Sequence, residues 1–78
     1  MGTTKKTPVL SLYIGNKIKE LRKQKGLTGD ELAKCIGLSQ QQVSRYELGV
    51  NYVHIDLLAK LADIFQVPLQ TFIPDNNI

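Results

Sequence analysis

Four polar side chains that can hydrogen-bond the flat edge of a partner lie within six residues: Gln40, Gln41, Ser44 and Arg45. A glutamine amide can donate one hydrogen bond and accept another, which matches N6 and N7 of adenine. An arginine guanidinium can donate two, which matches O6 and N7 of guanine. At about 100° per residue, a helix would turn Gln41, Ser44 and Arg45 to one side and place Gln40 at its beginning. The alternative is an ordinary solvated helix face, so the neighbouring elements must decide.

Two short helices with the same kind of start signal are predicted around these side chains. Segments 28–31 (Thr-Gly-Asp-Glu) and 39–42 (Ser-Gln-Gln-Gln) match the capping box. In that motif a hydroxyl accepts the backbone N–H three residues on, and a Glu or Gln side chain bonds back. Gly37 stands where the first of the two helices must end, and we expect it in the left-handed conformation that glycine adopts at little cost. The second helix would then span residues 39–48.

The relative positions of three residues indicate how these two helices meet. Ala33 must be small where the second helix crosses, Gly37 makes the turn, and Val43 anchors the second helix on the core. Two helices that cross steeply over such a short turn form a helix-turn-helix unit, whose second helix enters the major groove of DNA. The sequence therefore predicts double-stranded DNA as a partner.

Apolar periodicity predicts three further helices, and no segment reads as a strand. We expect one helix through Ile14, Ile18 and Leu21, one over residues 55–65, and a short one between Pro68 and Pro74. His54 stands where it could cap the helix over 55–65. The predicted fold class is therefore all-α, a compact five-helix domain.

The domain boundaries follow from composition. Residues 11–74 carry the helical patterns, residues 1–10 are expected to be a basic, disordered arm, and residues 75–78 a short tail. Positive charge is concentrated at the beginning, since residues 1–25 hold seven basic residues and one acidic one. Residues 26–78 hold three basic and six acidic residues, so the net charge is +3. This asymmetry favours one face turned toward a polyanion, although a solvated helix face would look similar.

Composition counts against several other classes of protein. One His, one Cys and dispersed carboxylates form no nucleophile–base set or metal cluster, so we expect no enzyme activity, no metal and no cofactor. No site for a small-molecule ligand is evident. Cys35 has no partner for an internal disulfide, and we expect it to be a small buried or half-buried residue. No apolar run approaches the roughly 18 residues of a membrane span, and no signal peptide is apparent, which predicts a cytoplasmic protein.

At this point the chain resembles the phage-repressor (Cro/cI, xenobiotic-response-element) family of five-helix DNA-binding domains. The resemblance covers roughly residues 14–73 and is carried by segments 18–22, 26–28, 31–33, 37–39, 43–47 and 58–62. Residues 39–47 are also similar to the recognition helix of regulators encoded with fimbrial operons in enteric bacteria. The resemblance implies a transcriptional regulator that binds DNA.

The resemblance also implies roles for individual residues. The base-reading positions of the family fall on Gln40, Gln41 and Arg45, with Ser44 beside them. Arg22 and Glu47 match a family ion pair that joins the first and third helices.

Phosphate contacts are expected first from helix N-termini, whose free N–H groups and positive dipole end suit an anion. Such contacts would involve Thr28, Gly29 and Ser39. Many family members have Gln where this chain has Gly29, so only a backbone contact is expected there. Other phosphate contacts are expected from the loop after the recognition helix and from the arm: Asn51, Tyr52, Lys5 and Lys6.

We also expect a homodimer, because one recognition helix reads too few base pairs to single out a genomic site. The apolar residues expected at its interface are Leu69, Phe72 and Ile73, with Phe72 filling its own core as the alternative. A rival function is a protein-interaction module of the antitoxin or anti-repressor type, with DNA binding secondary.

Overall fold

A computed structural model of the chain describes residues 9–74, which form four α-helices and one 3₁₀ turn. The helices are α1 (Val9–Gln24), α2 (Gly29–Ile36), α3 (Gln40–Glu47) and α4 (Ile55–Phe65), and the 3₁₀ turn is Leu69–Phe72. No strand occurs within this part of the chain, so the all-α prediction is confirmed. The expected fifth α-helix is corrected to a single 3₁₀ turn.

The 3₁₀ turn is short because of the residues that surround it. Pro68 precedes it and Pro74 follows two residues after its end, and a proline disfavours the helical conformation in the residue before it. Pro74 therefore disfavours continuing the helical conformation through Ile73, and the four residues that remain after Pro68 form one 3₁₀ turn.

The expected arm overlaps the beginning of α1. Val9 and Leu10, which the sequence analysis assigned to the arm, lie in the first turn of this helix. The rest of the arm, with Lys5 and Lys6, lies outside the described residues, as does the tail over 75–78.

The core lies between α1, α2 and α4, and α3 contributes one buried side chain to it. Its members share an exposed fraction of 8 % or less: Ile14, Ile18, Leu32, Ala33, Ile36, Val43, Leu57, Leu58, Leu61, Ala62, Phe65 and Phe72. Phe72 is fully buried and closes the core from the 3₁₀ turn. Its expected place in a dimer interface is therefore wrong, since the short turn holds the ring against its own protomer.

The start of α2, the turn that follows it and the start of α3 agree closely with the sequence prediction. Thr28 caps α2 with both bonds of a capping box, because its hydroxyl accepts from the backbone N–H of Glu31 at 3.0 Å and the Glu31 carboxylate accepts from the Thr28 backbone N–H at 2.8 Å. Gly37 ends α2 at φ 72°, ψ 29°, the left-handed conformation expected for it. Ser39 caps α3 by accepting from the backbone N–H of Gln42 at 3.1 Å.

Only the first of the two predicted capping boxes is complete. At the start of α3 the return bond from the Gln42 side chain is missing, and Ser39 alone provides the cap. The physical difference is that Glu31 offers a charged acceptor to a backbone N–H, whereas a neutral Gln amide forms a weaker bond.

Helix α1 packs directly on the backbone at the end of α3. A Cβ atom added to Gly15 would come within 2.7 Å of the Glu47 carbonyl oxygen, and closer still to that of Tyr46. One turn earlier, the hydroxyl of the buried Ser11 lies 3.2 Å from the carbonyl oxygen of Gly49 and 3.3 Å from that of Asn51, and it donates to these acceptors. Small side chains on this face of α1 therefore set how close the two elements come.

Two further expectations are corrected. Cys35 is exposed rather than buried or half-buried, because it points away from the face of α2 that carries Leu32 and Ile36. His54 occupies the N-cap position of α4 but makes no side-chain bond to the helix.

Within residues 9–74, no helix combines the length and the apolar character that a membrane crossing requires.

Candidate DNA-binding surface

The outward face of α3 carries the four side chains that the sequence predicts to read bases. Gln40, Gln41, Ser44 and Arg45 are all exposed. On the inward face, Val43 is only 2 % exposed. Helix α3 has eight residues, and an isolated helix of this length is marginal in water. Its polar face is therefore held in place by tertiary contacts.

The residues predicted to contact phosphate lie at the helix starts and in the loop after α3. The Thr28 and Ser39 hydroxyls accept the cap hydrogen bonds, and each O–H can still donate to a phosphate oxygen. Gly29 begins α2 and has no side chain to obstruct its backbone N–H. In the loop, Tyr52 is 74 % exposed, whereas Asn51 is half-buried with its carbonyl close to Ser11.

An ion pair holds α3 against α1. Arg22 donates from Nε to Glu47 Oε2 at 2.7 Å and from Nη2 to Glu47 Oε1 at 3.1 Å. Its Nη1 donates to the carbonyl oxygen of Leu27 at 2.9 Å, so one guanidinium joins α1, α3 and the loop before α2. The side chains of Arg22 and Glu47 are 13 % and 9 % exposed. This is the pair that the sequence analysis expected as a structural contact.

The surroundings of Arg22 favour its charged form. The hydrogen bond to Glu47 raises the pKa of Arg22 above its ordinary value, burial lowers it, and the charge of the carboxylate raises it further. The guanidinium therefore stays protonated, as arginine does in proteins. The role of Arg22 here is to hold the helices together, because its Nε, Nη1 and Nη2 atoms each donate to an oxygen atom of the protein.

A polar groove of about 250 Å³ runs beside the first half of α3. One wall is formed by Lys19 and Arg22 of α1, and the other by Gly29 together with Gln40 and Ser44. The Gln40 side chain lies beside Gly29, with its Cγ 3.7 Å from where a Cβ of residue 29 would be. Sequence reasoning assigned no role to Lys19. Its signal is its spacing of three residues from Arg22, which places both on the side of α1 that meets α3.

Residues 18–72 match the model of the family described as HTH_3, helix-turn-helix. This span includes α2, the turn at Gly37, α3 and the ion pair. The chain belongs to this family. The Cro/cI-type resemblance proposed from sequence is therefore confirmed, and the helix-turn-helix described above is a DNA-binding domain of the kind found in transcriptional regulators.

Individual helix-turn-helix proteins show the same relationship. The chain is 42 % identical over 55 residues to an HTH-type transcriptional regulatory protein of Pyrococcus furiosus. The aligned segment covers 70 % of this chain and 18 % of that protein. It is 41 % identical over 54 residues to the antitoxin PezA of Streptococcus pneumoniae, which covers 69 % of this chain and 34 % of PezA. The chain thus spans about a fifth to a third of the length of these curated helix-turn-helix relatives.

A solved helix-turn-helix structure with a similar fold is that of the clp gene regulator ClgR from Corynebacterium glutamicum. Its TM-score is 0.77 at 27 % identity, and the match covers 85 % of this chain and 86 % of that chain. The helix-turn-helix arrangement is therefore shared over nearly the whole length of both chains.

The ion pair leads to a prediction about stability. Arg22→Ala leaves the Glu47 carboxylate buried without its partner, and should lower the free energy of unfolding by on the order of 3 kcal/mol. Replacing both residues with alanine removes the uncompensated charge, so the double variant should lose clearly less than the sum of the two single losses. Urea unfolding followed by circular dichroism measures all four proteins. Additive losses would mean that the two side chains do not interact in solution.

Proposed function

We propose that this domain is a sequence-specific, double-stranded DNA-binding transcriptional regulator whose helix α3 lies in the major groove. The observation that carries the proposal is the exposed polar face of α3, with Gln40, Gln41, Ser44 and Arg45 side by side on a helix that is fixed from behind. Amide and guanidinium groups in this arrangement can pair with adenine and guanine edges. We assign base reading to these four residues.

Phosphate binding would orient the domain on the duplex. Thr28, Gly29 and Ser39 are at the starts of α2 and α3, where helix N–H groups point outward, and the Thr and Ser hydroxyls can donate as well. Asn51 and Tyr52 could contact the same backbone from the loop that follows α3. Lys5 and Lys6 would add attraction that does not depend on sequence. We propose that the protein acts in the cytoplasm, at the nucleoid, because that is where it would find genomic DNA.

The second part of the proposal is a homodimer on an inverted repeat. Two recognition helices related by a two-fold axis read half-sites about one helical turn apart, which gives a site long enough to be unique. With Phe72 buried in its own core, Ile73 is the exposed apolar side chain next to the 3₁₀ turn, at 48 %, and Leu69 is half-buried beside the core. An isologous contact through Ile73 and Leu69 would cover this apolar surface.

A second candidate function is DNA binding coupled to a protein partner, as in an antitoxin. The similarity to PezA favours it. An electrophoretic mobility shift at two salt concentrations distinguishes the two candidates. A regulator that acts alone should bind genomic fragments tightly at both low and moderate salt. A module that needs its partner would shift those fragments only at low salt until the partner is added.

Base reading can be separated from phosphate binding by substitution. Gln41→Ala and Arg45→Ala should each cost about 1–3 kcal/mol on the preferred site and relax the base preference at one position. The Lys5→Ala, Lys6→Ala double variant should weaken binding to every duplex about equally and reduce its salt dependence. Selection of bound sequences from a random DNA pool, followed by titration of the selected site, measures both effects. If neither the Gln41 nor the Arg45 variant changes the selected sequence, the assigned reading face is wrong.

The dimer can be tested at Ile73. Ile73→Asp places a carboxylate in the proposed interface and should give a folded monomer that binds the inverted repeat only weakly. Ile55→Asp is the matched control, since Ile55 is also an exposed isoleucine, at 59 %, but lies at the start of α4. Sedimentation velocity, with and without DNA, gives the oligomeric state. An unmodified protein that is monomeric in both conditions would rule out the dimer.

A further inference from the structure

The polar groove between α1 and α3 has one positive charge that no neighbouring carboxylate balances. Three charged side chains line it: Lys19, Arg22 and Glu47. Arg22 and Glu47 neutralise each other through two hydrogen bonds. The ammonium group of Lys19 makes no salt bridge to a residue between 9 and 74. The ammonium group of Lys17, two residues earlier on α1, instead lies 3.3 Å from the Glu20 carboxylate.

The opposite wall of the groove is suited to an anion. It begins at Gly29, where the missing side chain leaves the groove open to the backbone of α2. The capping box occupies the N–H groups of Thr28 and Glu31. The other N–H groups of the first turn have no acceptor within the helix itself. The acidic side chains of this turn are engaged elsewhere, Glu31 with Thr28 and Asp30 with Lys34 at 3.3 Å.

The groove also borders the face of α3 that is proposed to enter the major groove. Gln40 and Ser44 form part of its lining and belong to the proposed reading face, so a phosphate on the adjacent strand would lie near the mouth of the groove. A lysine ammonium on its flexible stem suits this task, because it reaches a phosphate oxygen without needing a fixed planar geometry.

We propose that Lys19 binds a backbone phosphate of the DNA in this groove, opposite the start of α2, and thereby clamps one strand beside the first half of α3. The proposal rests on the proposed DNA-binding function and adds α1 to the surface that contacts DNA. Because Gly29 has no side chain, Lys19 adds a side-chain contact that residue 29 itself does not provide. Lys19 is then a positioning residue that sets the register of the reading face on the duplex without contacting a base.

The first experiment measures salt dependence with the full chain and its selected operator. Lys19→Gln should weaken binding to operator and to random duplex by the same factor, and the slope of log Kd against log salt should fall by about one unit per protomer. Between 50 and 200 mM salt, the advantage of the unmodified protein should shrink about threefold for each bound protomer, or about tenfold for a dimer on its operator. Lys60→Gln is the matched control, because Lys60 is an exposed lysine on α4 outside this groove.

The second experiment locates the phosphate. Operators in which one phosphate at a time is replaced by an uncharged methylphosphonate are titrated with the unmodified protein and with Lys19→Gln. One position in each half-site should weaken the unmodified protein but leave Lys19→Gln unaffected, which identifies the phosphate that the lysine binds. Thermal unfolding of the variants shows whether they are equally folded.

The outcomes distinguish the two proposals. If the unmodified protein binds no duplex, the proposed function fails. If it binds while Lys19→Gln and Lys60→Gln have the same slope, and no methylphosphonate position is coupled to Lys19, then Lys19 is only a solvated lysine and the inference is overturned.

Discussion

The approach of α1 to the carbonyl end of α3 at Gly15 is the contact on which the rest of the structure depends. The carbonyl oxygens of Tyr46 and Glu47 lie where the Cβ of any larger residue would be, so the two elements meet backbone to backbone. Ser11 extends this contact by donating to carbonyl oxygens just after α3. An eight-residue helix has little stability of its own, so the position of α3 is the position that α1 gives it.

The ion pair and the groove follow from this approach. Because α1 runs alongside α3 at close distance, Arg22 reaches Glu47 with two hydrogen bonds while also bonding to the Leu27 carbonyl. Both charges are largely removed from solvent, so the cost of desolvating them offsets much of the attraction between them. One turn away, Lys19 lies beside the proposed reading face and makes no salt bridge to a residue between 9 and 74. We therefore propose that different side chains of α1 hold the helix and attract the polyanion.

Much of the fold could be predicted from local signals. The Thr28 capping box and the left-handed Gly37 are written in three or four consecutive residues, and both are present. The contacts that depend on distant residues were not predictable in this way. Gly15 gives no local signal, since its role depends on carbonyl groups about thirty residues later. For Phe72 the sequence leaves both an interface and its own core open, because it does not reveal that the 3₁₀ turn folds the ring onto the core. The assignment of individual base and phosphate contacts stays a prediction, because it depends on DNA that is outside the chain.

The most direct test compares Gly15→Ala with Asn16→Ala, its exposed neighbour on the same helix. Alanine favours a helix over glycine by about 1 kcal/mol, so propensity alone would make the Gly15 variant the more stable one. The packing on α3 predicts the opposite, a loss of about 1–3 kcal/mol from overpacking. At a temperature where both variants are folded, Gly15→Ala should bind the selected operator about tenfold more weakly, the loss of roughly one base contact, with little change on random duplex. Equal stability and equal operator selectivity of the two variants would contradict the account.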